Sequence, residues 1–264
     1  MIADSQYLLP ESVLDRLLNA NSVLVLTGAG MSAESGIPTF RDAQTGIWAK
    51  FSPEQLATPR AFALDPQRVW SWYEDRRGKV RAAQPHPGHS ALVELETVFP
   101  ALTIVTQNVD GLHQRSGSSH VIELHGNILR SVCHLTSKPI DDEWIAQSND
   151  CPPVSPWAKG GLARPDVIWF GEALPAEAMN AAMEAAIRCD FCFSVGTTSL
   201  VQPAASLPLL ALEHGACLVE INPQETPLSM HASHCMRGAA SEQLSSLLRQ
   251  IKYADQIPGQ RPRL

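Results

Sequence analysis

Apolar positions follow two rhythms along this chain. Within residues 10–20, Val13, Leu14, Leu17 and Leu18 recur at helical spacing, and Asn21 then leads into the unbroken run Val23-Leu24-Val25-Leu26-Thr27. That is the pattern of a helix followed by a buried strand. Short apolar runs return at 102–106, 121–124, 167–170, 190–195 and 217–222, most of them separated by helix-patterned segments such as 88–98, 175–188 and 203–214. Buried strands alternating with helices predict an α/β fold, a Rossmann-like doubly wound parallel sheet with helices on both faces.

Two stretches break the alternation and predict a smaller inserted domain. Residues 37–87 hold two helix starts, Ser52-Pro53-Glu54-Gln55 with a capping-box pattern and Asp65-Pro66, the second helix running to a stop at Pro85. Residues 127–165 combine Cys133, Cys151, several prolines and Gly160-Gly161 with weak periodicity. The expected division is a nucleotide-binding domain from 1–36, 88–126 and 166–253, with 37–87 and 127–165 forming the small domain. The tail beyond residue 256 reads as frayed.

Charge and cysteine usage narrow the possible partners. A formal net charge of −7 without a long Lys/Arg run argues against a general nucleic-acid-gripping surface. No apolar segment is long enough to span a bilayer, and the N-terminal residues lack a secretory pattern, so a cytoplasmic protein with no membrane partner is expected. The six cysteines are scattered through 264 residues, which leaves reduced thiols or a metal site. Cys189-Asp-Phe-Cys192 falls at a strand start, where alternation would send the sulfurs to opposite faces, so it reads as core.

The first strand runs into Gly28-Ala29-Gly30-Met31-Ser32-Ala33, which fits G-x-G-x-x-G/A. Such a loop is either a plain tight turn or a pyrophosphate cradle, and the preceding strand favours the cradle. Ser35-Gly36-Ile37-Pro38-Thr39-Phe40-Arg41 then breaks any helix early, so a dinucleotide would be held by a loop. GAGMSAESGIPTFRD, from Gly28 to Asp42, resembles the signature of the sirtuins, the NAD-dependent protein deacylases. Further matches follow in order: Thr106-Gln107-Asn108-Val109-Asp110-Gly111-Leu112-His113, Glu123-Leu124-His125-Gly126, Arg164-Pro165-Asp166-Val167-Ile168-Trp169-Phe170-Gly171-Glu172, Gly196-Thr197-Thr198-Ser199 and Glu220-Ile221-Asn222. The resemblance spans roughly 12–250.

The resemblance implies NAD as a consumed co-substrate and acyl-lysine proteins as partners. It places Gly28, Ala29, Gly30, Ser32, Ser35, Pro38, Phe40, Arg41, Gln107, Val109, Asp110, Gly196, Thr197, Thr198, Asn222 and Ala240 against NAD. Asn108 and His125 serve both the cofactor and catalysis, His125 as general base, a task that suits a side chain titrating near neutrality. Val167, Trp169, Phe170 and Gly171 would meet the acyl-lysine. Leu56-Ala57-Thr58-Pro59 and the later R-V-W-x-x-Y-x-x-R-R, which carries Tyr73 and Arg76, resemble the subgroup that removes succinyl, malonyl or glutaryl groups; there Tyr and Arg hold the distal carboxylate and the small Ala57 widens the pocket.

In one module this sequence departs from the family pattern. Most sirtuins carry two C-x-x-C pairs for a structural zinc, whereas here the positions read Cys133-His134-Leu135-Thr136 and Cys151-Pro152-Pro153-Val154. Only Cys133 and Cys151 remain of the usual four ligands, so no metal is expected, with packing by Pro152, Pro153, Trp144 and Trp157 as a substitute. A non-catalytic NAD or ADP-ribose binding module, and an NAD hydrolase or ADP-ribosyltransferase on the same scaffold, are the alternative readings; a hydride-transferring dehydrogenase is the weakest.

Overall fold

A computed structural model describes residues 8–37 and 52–255. The strands are β1 (Ser22–Thr27), β2 (Ala101–Thr106), β3 (Val121–Glu123), β4 (Gly126–Cys133), β5 (Pro139–Ile140), β6 (Ala163–Val167), β7 (Phe191–Val195), β8 (Cys217–Ile221) and β9 (His234–Met236). The helices are α1 (Glu11–Leu18), α2 (Pro53–Leu56), α3 (Pro59–Leu64), α4 (Pro66–Ala82), α5 (Pro87–Glu96), α6 (Leu112–Ser116), α7 (Asp142–Gln147), α8 (Ala176–Arg188), α9 (Leu207–Glu213) and α10 (Ala240–Asp255).

Among the described residues, six parallel strands form the main sheet in the order β3-β2-β1-β7-β8-β9. Period-two alternation sorts each strand between two cores. Val23 and Val25 of β1 join Leu17, Leu92 and Leu247 on the side of α1, α5 and α10, while Leu24 and Leu26 join Ala182, Ala186, Leu207 and Ala211 on the side of α8 and α9. Cys189 and Cys192 lie in that second core together. The expectation of opposite faces fails because Cys189 is the residue that ends α8, ahead of β7, and so is not bound by strand alternation.

A second, antiparallel sheet has the order β5-β4-β6. The run at 167–170, expected as another parallel strand, is instead the end of β6, paired antiparallel with β4, and residues 168–170 lie outside any strand. A short apolar run has the same pattern in either kind of sheet, and β6 crosses the expected boundary between 165 and 166. Asp65 caps α4 by accepting the Arg68 N–H at 3.0 Å, and the Ser52 N–H donates to Gln55 Oε1 at 3.0 Å as the capping pattern predicted. The helix ends at Ala82 rather than running to Pro85. There Arg115 donates to the carbonyls of Val80 (2.9 Å) and Ala83 (2.6 Å), supplying partners for the helix end.

Strand order reverses between β1 and β7, and there the backbones touch. Gly28 N–H donates to Val195 O (3.0 Å) and Gly30 N–H to Gly196 O (2.8 Å). A Cβ on Gly30 would lie 2.8 Å from Gly196 Cα; one on Gly196, at φ +59°, would lie 2.6 Å from the Gly30 carbonyl carbon. Gly196→Ala therefore combines a left-handed backbone with overpacking and is expected to cost about 2–4 kcal/mol. Urea denaturation of the variant measures this; an unchanged midpoint would contradict the close approach.

Candidate active site

Ligand sites in open α/β sheets gather where strands end, at the reversal of strand order. Here β1 delivers Gly28–Ser32, β2 delivers Gln107–Asp110, β3 is followed by His125, β7 by Gly196–Ser199 and β8 by Asn222. One carboxyl edge thus collects nearly all the expected cofactor residues that lie within the described part of the chain. Pro38, Phe40 and Arg41 lie outside the described residues. Ala240 is buried at the start of α10, with its side chain in the core.

The loops are cross-tied. Asn108 Nδ2 donates to Gly28 O (2.9 Å) and to Ser32 Oγ (3.0 Å), Ser32 Oγ donates to Asp110 Oδ2 (2.7 Å), and Asp110 Oδ1 accepts the Leu112 N–H (2.9 Å). Burial holds the Asp110 carboxyl above its ordinary range, against the hydrogen bonds from Leu112 and Ser32. Across the crevice Gln107 Nε2 donates to Thr197 Oγ1 (3.1 Å), and Asn222 Nδ2 donates to Thr197 O (2.8 Å). The hydroxyls of Ser35 and Ser199 are buried with no hydrogen-bond partner among the described residues. Buried hydroxyls are normally satisfied, so two orphans at this edge fit a polar ligand such as a dinucleotide.

His125 Nδ1 lies 2.9 Å from Gln107 O. A carbonyl can only accept, so Nδ1 carries the proton and Nε2 of the neutral ring carries the lone pair. Burial pushes the imidazole below its ordinary value, opposed by the Gln107 bond.

A separate buried apolar cluster joins Ala57, Trp72, Tyr73, Ile128, Val167 and Trp169. Tyr73 is 2% exposed and its hydroxyl accepts the Trp169 indole N–H at 3.0 Å. Burial raises its pKa, so it stays a donor. Arg76 lies one turn on, its guanidinium 5.2 Å from the Trp72 ring centre and its pKa lowered by burial. Phe170 and Gly171 stay on the exposed side, the Phe170 N–H held by Ala57 O at 2.9 Å. One feature was not foreseen: Arg164 and Glu172 form a bidentate pair (2.6 and 2.8 Å) around Trp169, whose ring centre is 3.3 Å from the guanidinium carbon. Both residues stand in the R-P-D-V-I-W-F-G-E stretch, eight positions apart, and that motif was their available signal.

In the module at 127–165 the two remaining cysteines have different surroundings. Cys133 is buried, and facing its sulfur are the hydroxyls of Ser155 and Thr136 and the N–H groups of Leu135 and Thr136; burial raises the thiol pKa, but these donors outweigh it and bring it down to about 7. Cys151, expected as the second remaining ligand, is exposed beside Ser71, 3.8 Å from its hydroxyl. His134 Nδ1 accepts the Leu162 N–H (2.9 Å) and its ring packs on Phe62. Among the described residues no three His, Cys, Asp or Glu side chains converge, and one thiol among hydroxyls does not fit a closed tetrahedral zinc site.

Comparison with known proteins defines the class. The Sir2 family model matches residues 28–203, and the chain belongs to the Sir2 family. It is 48% identical over 244 residues to NAD-dependent protein deacylase 1 of Pseudomonas aeruginosa, covering 90% of this chain and 97% of that one. An NAD-dependent protein deacylase of Thermus thermophilus is 49% identical over 244 residues, covering 90% and 93%. The crystal structure of a Sir2 homolog in complex with NAD superposes with a TM-score of 0.85 at 43% identity, covering 94% of this chain and 95% of that one.

Behind the site three histidines form a buried row. The rings of His86 and His89 are 4.2 Å apart, those of His89 and His113 5.1 Å, and His113 Nε2 reaches Thr27 Oγ1 at 3.0 Å. Burial first, then the neighbouring histidines, lowers His89 from 6.5 to about 3 and His113 from 6.5 to about 4. Below pH 6.5 the unfolded chain takes up protons that the folded one refuses, so stability is full above pH 6.5 and falls as the pH drops. The slope is at most about 1.4 kcal/mol per pH unit for each histidine. Asp110, with its raised pKa, works in the opposite sense as it protonates. Urea midpoints at pH 7.5, 5.5 and 4.5 should fall in wild type and fall less steeply in His113→Gln; equal slopes would refute the assignment.

Proposed function

We propose that this chain removes acyl groups from protein lysines with NAD as a consumed co-substrate, and that it favours acyl groups ending in a carboxylate. The family membership and the similarity to NAD-dependent protein deacylases support the reaction. NAD supplies an electrophilic ribose carbon that takes the acyl-amide oxygen as nicotinamide leaves. On this reading Gly28, Gly30, Ser32, Ser35 and the 196–198 loop hold the dinucleotide, Asn108 and Asp110 fix the nicotinamide end, and His125 Nε2 takes the proton of a ribose hydroxyl. The neutral tautomer of His125 suits that role.

The observation that carries the acyl preference is the pairing of Tyr73 and Arg76 on one face of α4, at the wall that Trp169 also lines. A carboxylate forms a charge-assisted pair with a guanidinium and accepts from a phenol, and an acetyl group offers neither interaction. We also infer that the module around Cys133 is held without zinc, by hydrogen bonds to the thiol and by the apolar cluster of Trp70, Cys133, Ile140 and Ala163.

Mass-spectrometric turnover of matched succinyl-lysine and acetyl-lysine peptides tests the reaction and the clamp together. His125→Ala should lower turnover of both by about 10²–10⁴-fold. Arg76→Ala should lower kcat/KM for the succinyl peptide by about 10–100-fold, the worth of a charged hydrogen bond, and leave the acetyl peptide nearly unchanged. Equal losses on both peptides would refute the clamp, and no turnover of either by wild type would refute the activity. Metal analysis should find well under one zinc per chain, with no change in Tm on chelation; stoichiometric zinc would overturn the metal-free reading.

A further inference from the structure

A second arginine follows Arg76 directly, and it is not a surface residue. Arg77 is 2% exposed, and its guanidinium is committed to four acceptors: Nε to Ile128 O (2.6 Å), Nη2 to Arg130 O (2.8 Å) and Ser131 Oγ (2.9 Å), and Nη1 to Glu74 Oε1 (2.6 Å), with the Trp70 ring centre 4.9 Å away. The backbone acceptors sit in the irregular part of β4, where the register with β6 shifts between Asn127 and Ser131. Such a bulge leaves backbone groups unpaired in the ladder, and two of its carbonyls are taken by a helix instead.

The Ile128 residue also reaches the other way. Its N–H donates to Val109 O at 2.8 Å, in the loop whose Asn108 and Asp110 are tied to Gly28 and Ser32. Two hydrogen bonds meeting at one residue therefore connect α4, the helix of Tyr73 and Arg76, with the loop on the nicotinamide side. A carbonyl held by a cation and an N–H held by a carbonyl leave Ile128 little freedom, and burying a guanidinium is costly unless its hydrogen bonds are all made.

We propose that Arg77 is a positioning residue for deacylation: it keeps the acyl-pocket helix in register with the 107–110 loop, so that the acyl oxygen and the ribose carbon meet at reacting distance. This rests on α4 walling the acyl pocket, and it holds whichever acyl group is preferred. Arg77 touches neither reactant. Its loss therefore acts on alignment, to which a reaction between two bound partners is steeply sensitive, while NAD keeps its contacts along β1, β7 and β8.

The test is steady-state turnover of the succinyl and acetyl peptides by full-length wild type, Arg77→Met and Arg77→Lys, with Tm measured alongside. Arg77→Met should lower kcat about tenfold or more on whichever peptide wild type turns over, with KM for NAD within about twofold, as expected for misalignment of two bound reactants. Arg77→Lys keeps the charge and reaches fewer acceptors, so it should fall between. Should Arg77→Met fail to fold, Arg77→Lys and Ser131→Ala, which removes one acceptor, carry the same readout. A kcat within twofold of wild type in folded variants overturns the proposal, as does a parallel loss of kcat and NAD affinity that tracks Tm. Lack of succinyl preference in wild type would refute the Arg76 clamp alone, since the kcat loss is read on either peptide.

Discussion

Direct contact between two backbones, Gly28–Gly30 after β1 and Gly196 after β7, is the constraint on which the site depends. Strand order reverses between those two strands, so the loops leaving them diverge and open a crevice. Only residues without a Cβ let the loops close on each other at its floor. Once that floor is fixed, the other loops of the same edge attach to it: Asn108 through Gly28 O, Gln107 through Thr197, and Asn222 through the Thr197 carbonyl. The arrangement is made by main-chain geometry first and side-chain chemistry second.

The region around Tyr73 and Trp169 is built by a different method. There the second sheet, α4 and the segment after β6 are joined by arginine side chains. Arg77 fills the bulge of β4, and Arg164, bonded to Glu172 and to Val167 O (2.7 Å), packs on the face of Trp169. Charges held in this way add little net stability over well-packed apolar groups but favour one arrangement through their hydrogen bonds. The segment that carries Cys133 and its hydroxyl neighbours is ordered in part by such contacts.

Much of this was legible in the sequence, for physical reasons that also explain what was not. The central strands β1, β7 and β8 are buried on both faces and announce themselves as continuous apolar runs, and the residues at their carboxyl ends followed from that. β9 was missed because His234-Cys235-Met236 is three residues long and half-buried, with no run to detect. The segment at 167–170 was given to the wrong sheet because pairing partners are not written in local periodicity. Cys151 was set beside Cys133 on the family resemblance, as what remains of the usual four ligands, and nothing in its sequence position told that Ser155, four positions on, faces Cys133. Arg77 was invisible for a related reason: a buried arginine and a surface one have the same letter, and only the bulge opposite it gives its role away.

Gln107 occupies a peculiar place in this scheme. Its N–H donates to Thr27 O at 3.0 Å, its carbonyl sets the tautomer of His125, and its side chain reaches Thr197. One residue thus spans the crevice from wall to wall. For inhibitor design this means that a compound wedged against the 196–199 loop pulls on the residue whose carbonyl orients the His125 ring. Such a compound reaches the His125 ring through one amide side chain, with no mimicry of either reactant.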